Sequence, residues 1–97
     1  MARPFHHIVL FRIHPGTFRE EIDEAIEGLR SLGALPGITS WRVERSLDER
    51  KGTVLVQVGT FEDEAAFARY RASPAHRVAG EAMAAISDWL VGDFVGS

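Results

Sequence analysis

Residues 5–13 read Phe-His-His-Ile-Val-Leu-Phe-Arg-Ile, and this stretch decides the fold. β-Branched and aromatic side chains dominate it and Pro15-Gly16 punctuates its end, which is the pattern of a first strand. Alternation places His7, Val9, Phe11 and Ile13 on one face and Ile8, Leu10 and Arg12 on the other. Both faces are largely apolar. Each therefore needs a cover.

Downstream, Thr17 and Glu20 have the spacing of a capping box and predict a helix start. Ile22, Ala25, Ile26, Leu29 and Leu32 follow at helical spacing, Glu20, Glu21, Asp23, Glu24, Glu27 and Arg30 take the complementary positions, and Gly33 is the expected stop. The acidic run is a solvated face with no functional role. Pro36-Gly37 turns the chain into a second strand over 38–47. The charged stretch 48–52 is a hairpin connection to a third strand over 53–60, whose Val54, Val56 and Val58 alternate with Leu55, Gln57 and Gly59. Glu62, Asp63 and Glu64 open a second helical region with negative charge at its positive end. Ser73-Pro74 breaks that region and restarts it, to about Asp88. Residues 89–95 form a fourth strand.

The order β-α-β-β-α-β predicts an α+β, ferredoxin-like domain: an antiparallel four-stranded sheet with its helices on one face. On this reading the opposite face exposes His7, Val9, Phe11 and Leu55. An apolar patch of that size marks an interface. A second copy, packed sheet to sheet with two-fold symmetry, covers it and makes a dimeric α/β barrel.

Composition narrows the function. Ninety-seven residues without a linker-like tract predict one domain, 1–97. A formal charge of -3, from 14 acidic and 11 basic residues, supplies no positive field for nucleic acid. The sequence has no cysteine, so disulfides, thiolate metal sites and thiol nucleophiles are excluded. No apolar run reaches the roughly 18 residues of a membrane span, and residues 1–7 lack the pattern of a secretory signal. The expected setting is cytoplasmic, with no membrane and no nucleic acid partner. His6 and His7 point to opposite faces of a strand and cannot chelate one ion, so no metal is expected.

Four stretches, in order along nearly the whole chain, resemble the stress-responsive dimeric α/β barrel (Dabb) family: His7-Ile8-Val9-Leu10-Phe11, Leu35-Pro36-Gly37-Ile38, Thr60-Phe61-Glu62-Asp63-Glu64-Ala65-Ala66, and Tyr70 through Ser73-Pro74-Ala75-His76. The site positions are most similar to those of the family's olivetolic acid cyclase-like enzymes, which close a linear polyketide by aldol chemistry without cofactor. That resemblance implies a catalytic role for His76, with Tyr70 six positions earlier as its partner, and a pocket position for His7. It also marks two departures: Leu55 stands where those enzymes carry a third-strand histidine, and Gly28 stands near a pocket tyrosine of the first helix. The same substrate is therefore not implied.

Cofactor-free aldol closure needs a base poised near neutrality and a donor to the developing enolate oxygen, which histidine and tyrosine supply. The expected site has His76 and Tyr70 as catalytic residues and His7, Val9, Phe11, Leu55 and Gln57 lining a small apolar pocket, without cofactor. The expected partners are a second copy of the chain and a small apolar or aromatic carbonyl ligand. His6 and His14 take no role. Trp41, Phe67, Trp89 and Phe94 are expected chiefly in the core. Two other function classes remain beside the enzyme: a non-catalytic carrier of small apolar molecules, and a structural stress protein.

Overall fold

The computed structural model describes residues 2–97. Strand β1 (Phe5–Ile13) is followed by helix α1 (Arg19–Ser31), a short 3₁₀ turn (Leu32–Ala34), β2 (Ile38–Arg45), β3 (Val54–Phe61), α2 (Glu64–Ala72), α3 (Pro74–Ile86) and β4 (Ser87–Val95). The strands form one antiparallel sheet in the order β2-β3-β1-β4. This is the ferredoxin-like arrangement, with β1 hydrogen-bonded to β3 on one edge and to β4 on the other. No helix of the described residues is long and apolar enough to cross a membrane.

The helices lie on the face that carries Phe5, His7, Val9, Phe11 and Ile13, all 8% exposed or less. Leu55 and Phe61 of β3 and Val43 of β2 are sealed beneath the same cover. The expectation that His7, Val9, Phe11 and Leu55 face away from the helices is therefore corrected. The bulky rings of Phe5, Phe11 and Phe61 sit on this face and fill the space between sheet and helices. The uncovered face instead carries Ile8, Leu10, Val56, Val58, Leu90 and Phe94, with Leu10 at 42%, Leu90 at 74% and Phe94 at 55% exposure.

Element ends also differ from the sequence reading. Helix α1 starts after Phe18, whose backbone N–H donates to Glu21 Oε1 at 3.2 Å, while the Thr17 hydroxyl donates to the carbonyl of His14. The capping carboxylate is Glu21, one residue beyond the expected one. Gly33 lies within the 3₁₀ turn and not at a left-handed stop. Its reason is steric: a Cβ there would meet Trp41 Cδ1 at 2.6 Å. Strand β2 ends at Arg45, β3 runs to Phe61 and β4 begins at Ser87. Pairing with β1 extends β4 back to Ser87, opposite Ile13.

An aromatic cluster closes one end of the covered face. Phe5 stacks on Phe67 at 4.2 Å, and Phe61 meets Phe67, Tyr70 and Trp41 with ring centroids 5.0–6.4 Å apart. Such offset and edge contacts stabilise by about 0.5–1.5 kcal/mol each beyond burial. Trp41 satisfies its indole N–H on the carbonyl of Leu29 at 3.0 Å.

Candidate active site

The break between α2 and α3 sets the site. Ser73 ends α2 in an extended conformation, because the ring of Pro74 disfavours helical geometry at the residue before it. Its hydroxyl donates to the carbonyl of Tyr70 at 2.7 Å and accepts from the backbone N–H of His76 at 3.2 Å. One side chain thus ties the last turn of α2 to the first turn of α3. Tyr70 and His76 are brought into contact, with ring centroids 4.8 Å apart in an edge arrangement.

These two rings face a cavity of about 380 Å³ between the sheet and the helices. The sheet supplies His7, Val9, Phe11, Gln57, Trp89, Val91 and Asp93. Leu29 and Leu32 close one side, and Phe67, Tyr70, Arg71, His76, Ala79, Gly80 and Met83 line the helix side. Apolar walls with a few convergent polar groups are the usual make-up of a small-molecule site.

The two catalytic candidates are displaced in opposite directions. Burial pushes the Tyr70 phenol up to about 12, with a hydrogen bond to the Gln57 side chain pulling back part of the way. It stays protonated and can donate. Burial, reinforced by the charges of His7 and Arg71, holds the His76 imidazole below its usual range, and a hydrogen bond to the backbone carbonyl of Arg71 opposes the shift. It is neutral near pH 7 and can accept a proton.

His7 is 7% exposed and directly opposes Asp93 in the β1–β4 register. Its Nδ1–H donates to Asp93 Oδ1 at 2.6 Å, which fixes the orientation of the ring. Asp93 was not picked out by sequence reasoning. The signal available was alternation along β4, which puts Trp89, Val91 and Asp93 on one face, but only the register with β1 aims Asp93 at His7.

Of the other expected residues, Val9, Phe11 and Gln57 line the cavity. Leu55 does not: it is fully buried in the core. Gly28 borders a shallow groove between α1 and α3 and does not reach the cavity. Phe67 and Trp89 line the cavity, whereas Trp41 packs in the aromatic cluster and Phe94 lies on the uncovered face, stacked on His6 at 4.7 Å. His6 is held on both ring nitrogens: its Nε2 lies 2.6 Å from the carbonyl of Gly96 and its Nδ1 3.2 Å from the Thr60 hydroxyl. His14 approaches Asp88 at 3.5 Å. Among the described residues no group of three or more His, Cys, Asp or Glu side chains is placed to hold a metal ion.

A family model described as Stress responsive A/B Barrel Domain matches residues 5–95. The chain belongs to this family. The A/B barrel domain is similar to solved structures at low identity. A dimeric ferredoxin-like protein of unknown function from Thermobifida fusca is 22% identical, with TM-score 0.87 over 98% of this chain and 92% of that one. SnoaB, a cofactor-independent oxygenase from Streptomyces nogalater, is 23% identical, with TM-score 0.81 over 99% and 95%. The hydroxynitrile lyase of Passiflora edulis is 23% identical, with TM-score 0.81 over 100% and 96%. No curated protein matches the sequence.

Proposed function

We propose that this A/B barrel domain is a homodimeric, cofactor-independent acid-base catalyst acting on a small apolar or aromatic carbonyl compound, with a polyketide-like cyclisation as the reaction class. The observation that carries the proposal is the contact of the Tyr70 and His76 rings, with centroids 4.8 Å apart, inside one cavity. His76 removes the proton next to a carbonyl, and the Tyr70 O–H donates to the oxygen as enolate charge develops there. The enolate carbon attacks a second carbonyl of the same molecule, forming the carbon–carbon bond. The resulting alkoxide takes back the proton held by His76, so the imidazole returns to its neutral state. His7, oriented by Asp93, positions the ligand at the polar end of the cavity. That one structural neighbour is an oxygenase without cofactor and another a hydroxynitrile lyase supports acid-base chemistry on this scaffold.

The homodimer is supported by the uncovered apolar face and by neighbours described as dimeric. Sedimentation should give a mass near twice 10.7 kDa. For the chemistry, His76→Ala should lower the rate on a linear poly-β-keto thioester by about 10²–10⁴, the scale for losing a general base. Tyr70→Phe should lower it less, because the ring stays. Both rates should be unchanged by EDTA. A His76→Ala protein with unchanged turnover and a lowered melting temperature would show that the histidine is only a helix-start residue.

A second reading is a non-catalytic carrier or structural protein. It is favoured by Leu55, which seals the core at the position where the cyclase-like enzymes carry a histidine. It predicts normal ligand affinity in the His76→Ala variant and no turnover in either protein.

A further inference from the structure

Resting on the reading of the cavity as a ligand site, we infer that Arg71 makes it selective for ligands that carry a carboxylate on an aromatic or aliphatic body. Arg71 is the only lysine or arginine in the cavity lining. Arg12, Arg30, Arg42, Arg45 and Arg50 each lie within 4.0 Å of a carboxylate, and the other described arginines without such a pair, among them Arg19, Arg69 and Arg77, lie outside the cavity lining. Among the described residues no carboxylate lies that close to Arg71. The one acid in the lining, Asp93, is already engaged by His7 at 2.6 Å. The polar end of the cavity therefore holds a permanent positive charge with no partner of its own.

The guanidinium is also placed in a definite way. Its central carbon lies 6.0 Å from the centroid of the Phe67 ring, which itself lines the cavity. An arginine packed on an aromatic face loses less freedom when it then binds an anion, and its planar fork matches a carboxylate with two parallel hydrogen bonds. The rest of the lining, from Phe11 and Leu29 to Met83, suits a hydrocarbon or aromatic body. A ligand seated this way keeps its charged end at Arg71, on the last turn of α2, and its body beside Tyr70 and His76. Neutral carbonyl compounds of equal size lack the anchor.

A matched pair of probes tests this, 4-butylbenzoate and 4-butylbenzamide, titrated by NMR into the wild-type protein, Arg71→Gln and Arg71→Lys at pH 7. Arg71 is an exposed residue, so both variants should fold, and a thermal melt of each checks it. The wild type should bind the benzoate about tenfold more tightly than the amide, as one charge-assisted pair implies. Arg71→Gln should remove that preference by weakening the acid alone, and Arg71→Lys should fall between because it keeps the charge and loses the fork. Equal binding of both probes to the wild type, or an equal loss of both in Arg71→Gln, would overturn the inference and leave the cavity reading standing. If neither probe shifts the ring signals of Tyr70 and His76, the cavity reading fails and the inference with it.

Discussion

The two faces of the sheet are drawn from the same four strands, yet they do opposite things. The helix-covered face holds most of the large rings and is sealed at Leu55, Phe61 and Val43, each 1% exposed or less. It is hollow only where the helices stop short of β4, and there it carries its polar groups, His7, Gln57 and Asp93. The uncovered face carries Ile8, Leu10, Val56, Val58, Leu90 and the ring of Phe94, with no cavity lined by titratable side chains other than the rim at Asp93. Covering the second face adds buried area to a chain this small, but only one of the faces needs to be filled from within. A cavity arises on the face that the chain covers for itself, because helices are rigid and cannot follow the twisted sheet to its edge. The flat complement, by contrast, can be supplied by a second copy.

The largest expected effects separate these faces. Leu55→Ala should destabilise by about 2–5 kcal/mol, the range for truncating a fully buried leucine, as read from denaturant melts. The double change Leu10→Lys with Leu90→Lys on the uncovered face should leave the protomer's far-ultraviolet circular dichroism intact and reduce the sedimenting mass to about one chain. A double variant that still sediments as a pair would refute the view that this face is the interface.

A middle-sized contrast lies within the covered side. Gly33→Ala should destabilise by about 1–3 kcal/mol, because the new methyl group overlaps Trp41. Gly28→Ala, two turns or less away in the chain, should stabilise by roughly 0.5–1 kcal/mol, since it sits within α1 with open space where its Cβ would be. Equal and opposite melting shifts are not required. The opposite signs are, and like signs would mean that the packing around Trp41 is looser than described.

The smallest effect concerns pH. The imidazole of His76 is held below its ordinary value of about 6.5, first by burial and then by the charges of His7 and Arg71. The folded protein therefore binds this proton less readily than the unfolded chain, and stability associated with the site is present above about pH 6.5 and declines as pH falls below it. Turnover should show an acid limb with its midpoint below 6.5 and, with Tyr70 at about 12, no alkaline limb from the phenol in the working range. Arg71→Gln should move the acid limb upward. An acid limb at or above 6.5 in the wild type would contradict the buried, neutral base.

Much of this protein was legible in its sequence. The strand of residues 5–13, the Pro36-Gly37 turn, the acidic start of the second helical region and the break at Ser73-Pro74 are local signals, set by backbone sterics and by side-chain periodicity. They suffice for the order of elements and for the ferredoxin-like class. The break at Ser73-Pro74 allowed Tyr70 to fold back toward His76, but the contact of the two rings is decided by how the helices pack and not by the turn itself. What the sequence could not decide was which apolar face of β1 the helices take, since alternation reports two faces and does not say which one is inside. For the same reason Leu55 looked like a pocket residue and lies in the sealed core. Asp93 stayed hidden because its partner is 86 positions away, and only the β1–β4 register, fixed by pairing along the whole length of both strands, sets a carboxylate opposite His7. Local chemistry wrote the elements, and long-range packing chose where the hollow would be.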